Sequence, residues 1–417
     1  MKVLIITYYW PPAGGGGVQR WLHFAKYLRD FGVEPIIFTI DNPNYPIEDK
    51  SLANHIPNGI EVIRQKIWEP NTFFGKKSKG TAAGFLQEDP SLIQKFALYI
   101  RANYFIPDAR KFWIKPSVKT IKTYLDANPV AWIITTGPPH SVHLIGKAIK
   151  KQTNIKWLAD FRDPWTKIDY FYQLPLQKKS LEKHLKLEKE VLNKADKVIV
   201  VSPYMQQDFL KTNTNTTVIT NGYDAAISTN KNRDTTFSLV HVGMLNSDRN
   251  PIIFWEAVKE LISENIAFKN ALDIKLIGKI AEEVKASIQE NQLEKYVTEI
   301  TYIPHNKIHK HQERSQVLLL FVNNVPHADG IVTGKVFEYL RAKRPILAIA
   351  PEKGDLAAIL NQTKAGSVVG FENKSALKKQ LLINFELFRK GALEIDSENI
   401  SQFHRRNLTE KLVNLLR

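Results

Sequence analysis

Four consecutive glycines, Gly14 to Gly17, stand between an apolar run, KVLIITYY, and an amphipathic one. In the second run Val18, Trp21, Leu22, Ala25 and Leu28 recur at helical spacing. A strand-to-helix turn aims backbone N–H groups and the helix dipole at a ligand, so anions bind there, and glycine lets the backbone approach closely. Gly15 and Gly16 are therefore candidates for contact with a substrate phosphate or a neighbouring hydroxyl. The string is neither GxGxxG nor a Walker loop, so a dinucleotide or P-loop fingerprint is not matched.

Four further stretches follow strand-like runs. TTGPPHSVHL (135–144) sets His140 and His143 at or near the first turn of a helix. A histidine there tends to stay neutral and suits a base or a hydrogen-bond partner. LADFRDPW (158–165) places Asp160, Arg162 and Asp163 beside Trp165, polar groups and an aromatic platform that suit sugar hydroxyls. HADGIVTGKVFEYLRAKRP (327–345) puts Gly330, Thr333 and Gly334 before a helix whose N-terminus is open to phosphate. Lys335 lies in its first turn against the dipole's preference, which makes sense if it meets an arriving anion. Glu338, within the next turn, has a carboxylate that can accept from both hydroxyls of a ribose. HVGMLNSDRNP (241–251) adds Gly243 at a third turn of this kind, with Arg249 as a second phosphate partner. No HExxH, CxxC, EF-hand or DxD pattern is present, so no metal site and no cofactor are expected.

The elements that must hold these residues alternate. Parallel-type apolar strands and helices succeed one another from residue 1 to about 224, a polar stretch (225–236) reads as a linker, and the alternation restarts over 237–399. The fold class expected is α/β, with two doubly wound Rossmann-like domains. Residues 66–122 break the rhythm. This insert carries Lys76, Lys77, Lys79, Lys95, Arg101, Arg110, Lys111, Lys115, Lys119 and Lys122, interleaved with Trp68, Phe73, Phe74, Phe85, Phe96, Tyr99, Tyr104, Phe105, Phe112 and Trp113.

The 417 residues allow two or three domains. The formal charge of +16 implies an anionic partner, whether nucleic acid, membrane surface or phosphorylated substrate. There is no cysteine, which excludes disulfides and thiolate metal sites and fits a cytoplasmic chain. MKVLIITYYW reads as a first strand rather than a signal peptide, and no apolar stretch is long enough to span a membrane.

With these stretches together, the chain resembles a glycosyltransferase of family 4, with the GT-B fold, over nearly its whole length. The matching signatures are YYWPPAGGGGVQR and GKVFEYLRAKRPILA, and SQFHRRNLTEKLVNLL (401–416) looks like the family's last helix. The resemblance implies two domains facing across a cleft, the first on the acceptor side and the second binding the donor, with residues 400–417 crossing back to the first. It implies a nucleoside-diphosphate sugar donor, UDP- or GDP-linked, and a lipid-linked or saccharide acceptor in cell-surface polysaccharide synthesis, with retention at the sugar carbon. Donor contacts would come from Gly15, Gly16, Gly243, Arg249, Gly330, Thr333, Gly334 and Lys335, with Glu338 on the ribose. His140, His143, Asp160 and Arg162 would serve the reaction centre. Gly330 stands where the family has a glutamate, and Met244 where it has an arginine. Many relatives work at the inner membrane face, so the basic aromatic insert is expected to touch that surface. A GT-B sugar-nucleotide epimerase is the second enzyme reading. A nucleic-acid-binding protein rests on charge alone, lacks any recognisable module, and is not expected.

Overall fold

The computed structural model describes residues 1–45, 47–69, 92–230, 232–301, 303 and 305–417. Lys76, Lys77, Lys79, Phe73, Phe74 and Phe85 of the expected insert lie outside the described residues. The chain forms two compact units, Met1–Asn221 with Arg405–Arg417, and Gly222–His404.

The first unit is built on seven parallel strands. Their spatial order is β3 (Glu61–Gln65), β2 (Glu34–Ile40), β1 (Lys2–Thr7), β4 (Trp132–Gly137), β5 (Lys156–Phe161), β6 (Lys197–Val200) and β7 (Thr216–Val218). β1 is central because Val3, Leu4, Ile5 and Ile6 are fully buried. Each such side chain contributes roughly 1.5–3 kcal/mol on leaving water. Ile5 lies between Ile37 of β2 and Ile134 of β4. The order turns back at β1, the topological switch point of a doubly wound sheet, where ligands bind beyond the carboxyl ends of the strands. There the chain enters α1 (Gly16–Leu28) after β1 and α4 (Ser141–Gln152) after β4. The last helix, α14 (Arg405–Leu416), belongs to this unit: Trp132 Nε1 donates to Leu416 O at 2.8 Å, and Arg406 pairs with Asp30 at 3.0 Å.

The described part of the insert contains α2 (Leu92–Tyr104) and α3 (Ile114–Ala127). Its stem is fixed in the unit. Arg110 pairs with Glu69 at 2.8 Å, and Tyr8 donates to the same carboxylate at 2.9 Å. Asp108 accepts from the backbone N–H and hydroxyl of Ser141, both at 2.8 Å, at the start of α4.

The second unit holds six parallel strands in the order β10 (Val297–Ile300), β9 (Leu272–Ile277), β8 (Phe237–Val242), β11 (Val317–Phe321), β12 (Ile346–Ile349) and β13 (Gly366–Val369). β8 again sits at the switch, and all six of its residues are buried. The polar stretch 225–236 has no regular element among its described residues. It is tied to this unit through Asp234, which pairs with Lys275 at 2.8 Å and Arg314 at 3.2 Å.

Candidate active site

In the first unit the turns after β1, β4 and β5 converge. Gly15 caps α1 with φ of 80°, in the left-handed region. A side-chain carbon on Gly15 or Gly16 would meet nothing within 4 Å, so both edge on open space. Arg162 clips the turns together. Its guanidinium donates to Gly17 O and Pro138 O, its Nε donates to Gly137 O at 3.3 Å, and it lies 5.7 Å from the Tyr9 ring centroid.

Asp160 is placed differently from the expectation that it meets a sugar. It is fully buried and accepts from Arg20 Nη2 at 3.0 Å, Trp21 Nε1 at 2.6 Å and Thr136 Oγ1 at 2.8 Å. Arg20 in turn donates to Thr220 O and Ile219 O, both at 2.8 Å. Asp160 therefore anchors α1 to the sheet and presents no surface to a substrate.

His143 is also fully buried. Its ring stacks on Phe161 at 4.3 Å, and its Nδ1 pairs with Thr135 Oγ1 at 2.9 Å. Burial lowers its pKa to about 3 against the pull of Asp160, with Arg162 adding to the lowering, so the ring is neutral at ordinary pH. His140 stacks on Trp165 at 4.7 Å and keeps a small exposed edge. Burial again holds it well below the usual histidine range, with His143 and Arg162 adding to the effect. Both rings crowd Gly137, where a side-chain carbon would lie 2.5 Å from His143 Nε2 and 3.2 Å from His140 Nδ1. Of the two, His140 is the one with surface to offer a ligand.

In the second unit, Gly243 follows β8 with φ of 114°. Lys335, at the start of α11 (Lys335–Ala342), crosses to this turn, and a side-chain carbon on Gly243 would lie 2.4 Å from its Nζ. Only glycine leaves that space. Lys335 Nζ is 3.4 Å from His241 Nε2. Burial first, and then the nearby Arg249, hold the Lys335 ammonium well below the usual lysine range, while Glu338 opposes this. Arg249 donates to Met244 O at 3.1 Å. Glu338 accepts from Gln312 Nε2 at 3.2 Å. Gly334 caps α11 and is exposed, and Thr333 O accepts from Val336 N. Gly330 ends a short 3-10 turn, Ala328–Gly330, between β11 and α11. The structure thus gathers Gly243, Arg249, Lys335 and Glu338 into one charged cluster, with Gly330, Thr333 and Gly334 on the segment leading into it.

Sequence reasoning missed His241, Arg20 and Gln312. For His241 a signal exists: it is an imidazole near the carboxyl end of FSLVHV, a fully buried strand. Among the described residues, no group of three or more His, Cys, Asp or Glu is arranged to hold a metal ion.

The family profile described as Glycosyltransferase Family 4 matches residues 14–227. The chain belongs to Glycosyltransferase Family 4. No curated protein matches it significantly. Among solved structures, a variant of S. aureus TarM in complex with fondaparinux, alpha-GlcNAc-glycerol and UDP is similar with a TM-score of 0.62 and 14% identity, covering 100% of this chain and 99% of that one. Sucrose-phosphate synthase from Thermosynechococcus elongatus gives a TM-score of 0.61 at 17% identity, covering 100% and 96%. UDP-GlcNAc 2-epimerase from Methanocaldococcus jannaschii gives 0.53 at 13%, covering 100% and 99%. At these identities the likeness establishes the fold. The two sheets are those of the GT-B glycosyltransferases, and this family member is a glycosyltransferase.

Proposed function

We propose that this enzyme moves a sugar from a UDP- or GDP-linked donor to a lipid-linked or saccharide acceptor, with retention, in cell-surface polysaccharide synthesis. The observation that carries the reading is the cluster at the end of β8: two cations, Lys335 and Arg249, beside a glycine turn and a helix start, with Glu338 one turn on. When the bond between the anomeric carbon and the diphosphate breaks, negative charge grows on the leaving group. Lys335, Arg249 and the α11 amides are suited to stabilise that charge as it forms. Such a site supplies its positive charge from side chains, and the proposed reaction is metal-independent. Glu338, steadied by Gln312, would accept from the ribose hydroxyls. On the acceptor side, Gly15, Gly16 and His140 offer surface, while Arg162, Asp160 and His143 hold the turns that carry them.

An epimerase would use a similar donor cluster. The family match favours transfer, and so does an exposed surface on the first unit. Helix α2 has a single buried residue, Ala102, and leaves Leu92, Ile93 and Phe96 at 84%, 82% and 66% exposure. Trp68 and Phe112 meet edge-on at 4.7 Å, and both are exposed. Asn103 on α2 donates to Pro175 O at 2.8 Å, which joins it to the start of α5 (Lys178–Lys194). There exposed Leu181 and Leu185 alternate with Lys178, Lys179, Lys183 and Lys186. Apolar and aromatic side chains among lysines suit an anionic bilayer surface, the place to meet a lipid-linked acceptor on the cytoplasmic side.

The donor assignment is tested by calorimetry with UDP and GDP on the wild type and Glu338→Ala. The variant should bind the preferred nucleotide about 1.5–3 kcal/mol more weakly, the range for a hydrogen bond to a charged group. Equal affinity in a folded variant would contradict the assignment.

A further inference from the structure

His241 has no place in the reading drawn from the sequence, yet the fold gives it a defined chemical state. Its Nδ1 lies 3.1 Å from Leu319 O, a carbonyl that can only accept, so Nδ1 carries the ring proton. Its ring is fully buried and stacks on Phe321 at 5.2 Å and 13°. The remaining nitrogen, Nε2, is then an acceptor in a fixed position, and Lys335 Nζ stands 3.4 Å from it. An ammonium has three N–H donors. When Lys335 is protonated one of them reaches His241, and its Nζ fills the space beside Gly243, where a side-chain carbon would lie 2.4 Å away.

We propose that His241 is a positioning residue for donor binding: it orients the Lys335 ammonium toward the diphosphate, and binding of that diphosphate draws a proton onto the His241–Lys335 pair. The proposal rests on the reading of the β8 turn as the diphosphate site. The charged and titratable groups facing the pair are Arg249, on the turn after β8, and Glu338, on α11. Arg249 opposes the charge on Lys335, and Glu338 favours it. A bound diphosphate adds negative charge against both cations and therefore stabilises the protonated pair. In the free enzyme the burial of Lys335 and its cationic neighbour work the other way. Between the two proton affinities, binding must take up protons, and nucleotide affinity must fall as pH rises.

The test is calorimetric titration of the whole protein with UDP and GDP at pH 8, in Tris and in HEPES, with inorganic pyrophosphate as a probe of affinity only. Nucleoside diphosphates are fully ionised there, because a terminal phosphate loses its second proton near pH 6. The observed heat should differ between buffers in the sense of proton uptake by the protein. Lys335→Arg, whose cation does not titrate, should abolish that uptake. His241→Asn keeps a donor for Leu319 O but not an acceptor at Lys335. It should weaken binding by roughly ten- to a hundredfold, the effect of one charge-assisted hydrogen bond. His241→Gln places an acceptor near the Nε2 position and should restore most of the loss. A purely structural histidine predicts that Asn and Gln behave alike and leave the proton count unchanged. Tight nucleotide binding with no proton uptake, or with equal effects of Asn and Gln, would overturn the proposal and leave the donor site standing. Failure of the folded wild type to bind any of the three probes would overturn both.

Discussion

At the scale of single residues, the first unit's site separates groups that touch solvent from groups that hold them. Asp160 and Arg20 form an ion pair with side-chain exposures of 0% and 1%. A buried pair is weak evidence of net stabilisation, but removing one partner leaves the other charged and unpaired. Asp160→Ala should therefore lower unfolding stability by about 3–5 kcal/mol. The denaturant midpoint measures it, and a change under ~1 kcal/mol would show that Arg20 finds another partner or reaches water. The residue types at this site were legible in the sequence because His, Asp and Arg at strand ends are unusual. Their division of labour was not. Asp160 reads as a sugar ligand until Arg20, Trp21 and Thr136 are seen to use its oxygens, and those partners lie up to 140 positions away.

At the scale of elements, the strands were the most legible feature. FSLVHV and VLLLFV are buried along their whole length because both faces of a parallel sheet are covered, whereas LDIKLIG alternates, with Asp273 and Lys275 only partly buried. β3 escaped notice because it is an edge strand whose Glu61 and Arg64 face water. Residues 66–122 broke the alternation for a visible reason. α2 buries one residue of thirteen, so it carries no core-facing stripe of its own. The exposed apolar surface of α2 and α5 predicts binding to vesicles. Co-sedimentation should rise with the fraction of anionic lipid and fall with salt, since exposed charges are screened beyond about 8 Å at physiological ionic strength. Phe96→Ser together with Leu185→Ser should reduce it without unfolding the chain. Equal binding to neutral and anionic vesicles, or none to either, would contradict a membrane role for this surface.

At the scale of the whole molecule, two doubly wound units carry complementary chemistry. The second concentrates cations at the end of β8. The first gathers a glycine turn, neutral histidines and an arginine clip at the ends of β1 and β4. The charged cluster at the end of β8 was legible in part, from Lys335 placed against the helix dipole and from Arg249 and Glu338 near strand and helix ends. His241 was not, since a strand sequence does not reveal which residue of a distant helix will cross to it. Sugar transfer from a nucleotide donor is tested most directly by following product formation. The protein should be incubated with a panel of UDP- and GDP-linked sugars, a bacterial lipid extract and an oligosaccharide mixture, with and without a chelator. Nucleoside diphosphate release and acceptor mass are then followed by mass spectrometry. One donor should be consumed, one acceptor should gain a sugar mass, and the chelator should leave the rate unchanged. Donor isomerised at constant mass with no acceptor gain, or product lost to chelator and restored by manganese, would contradict the account.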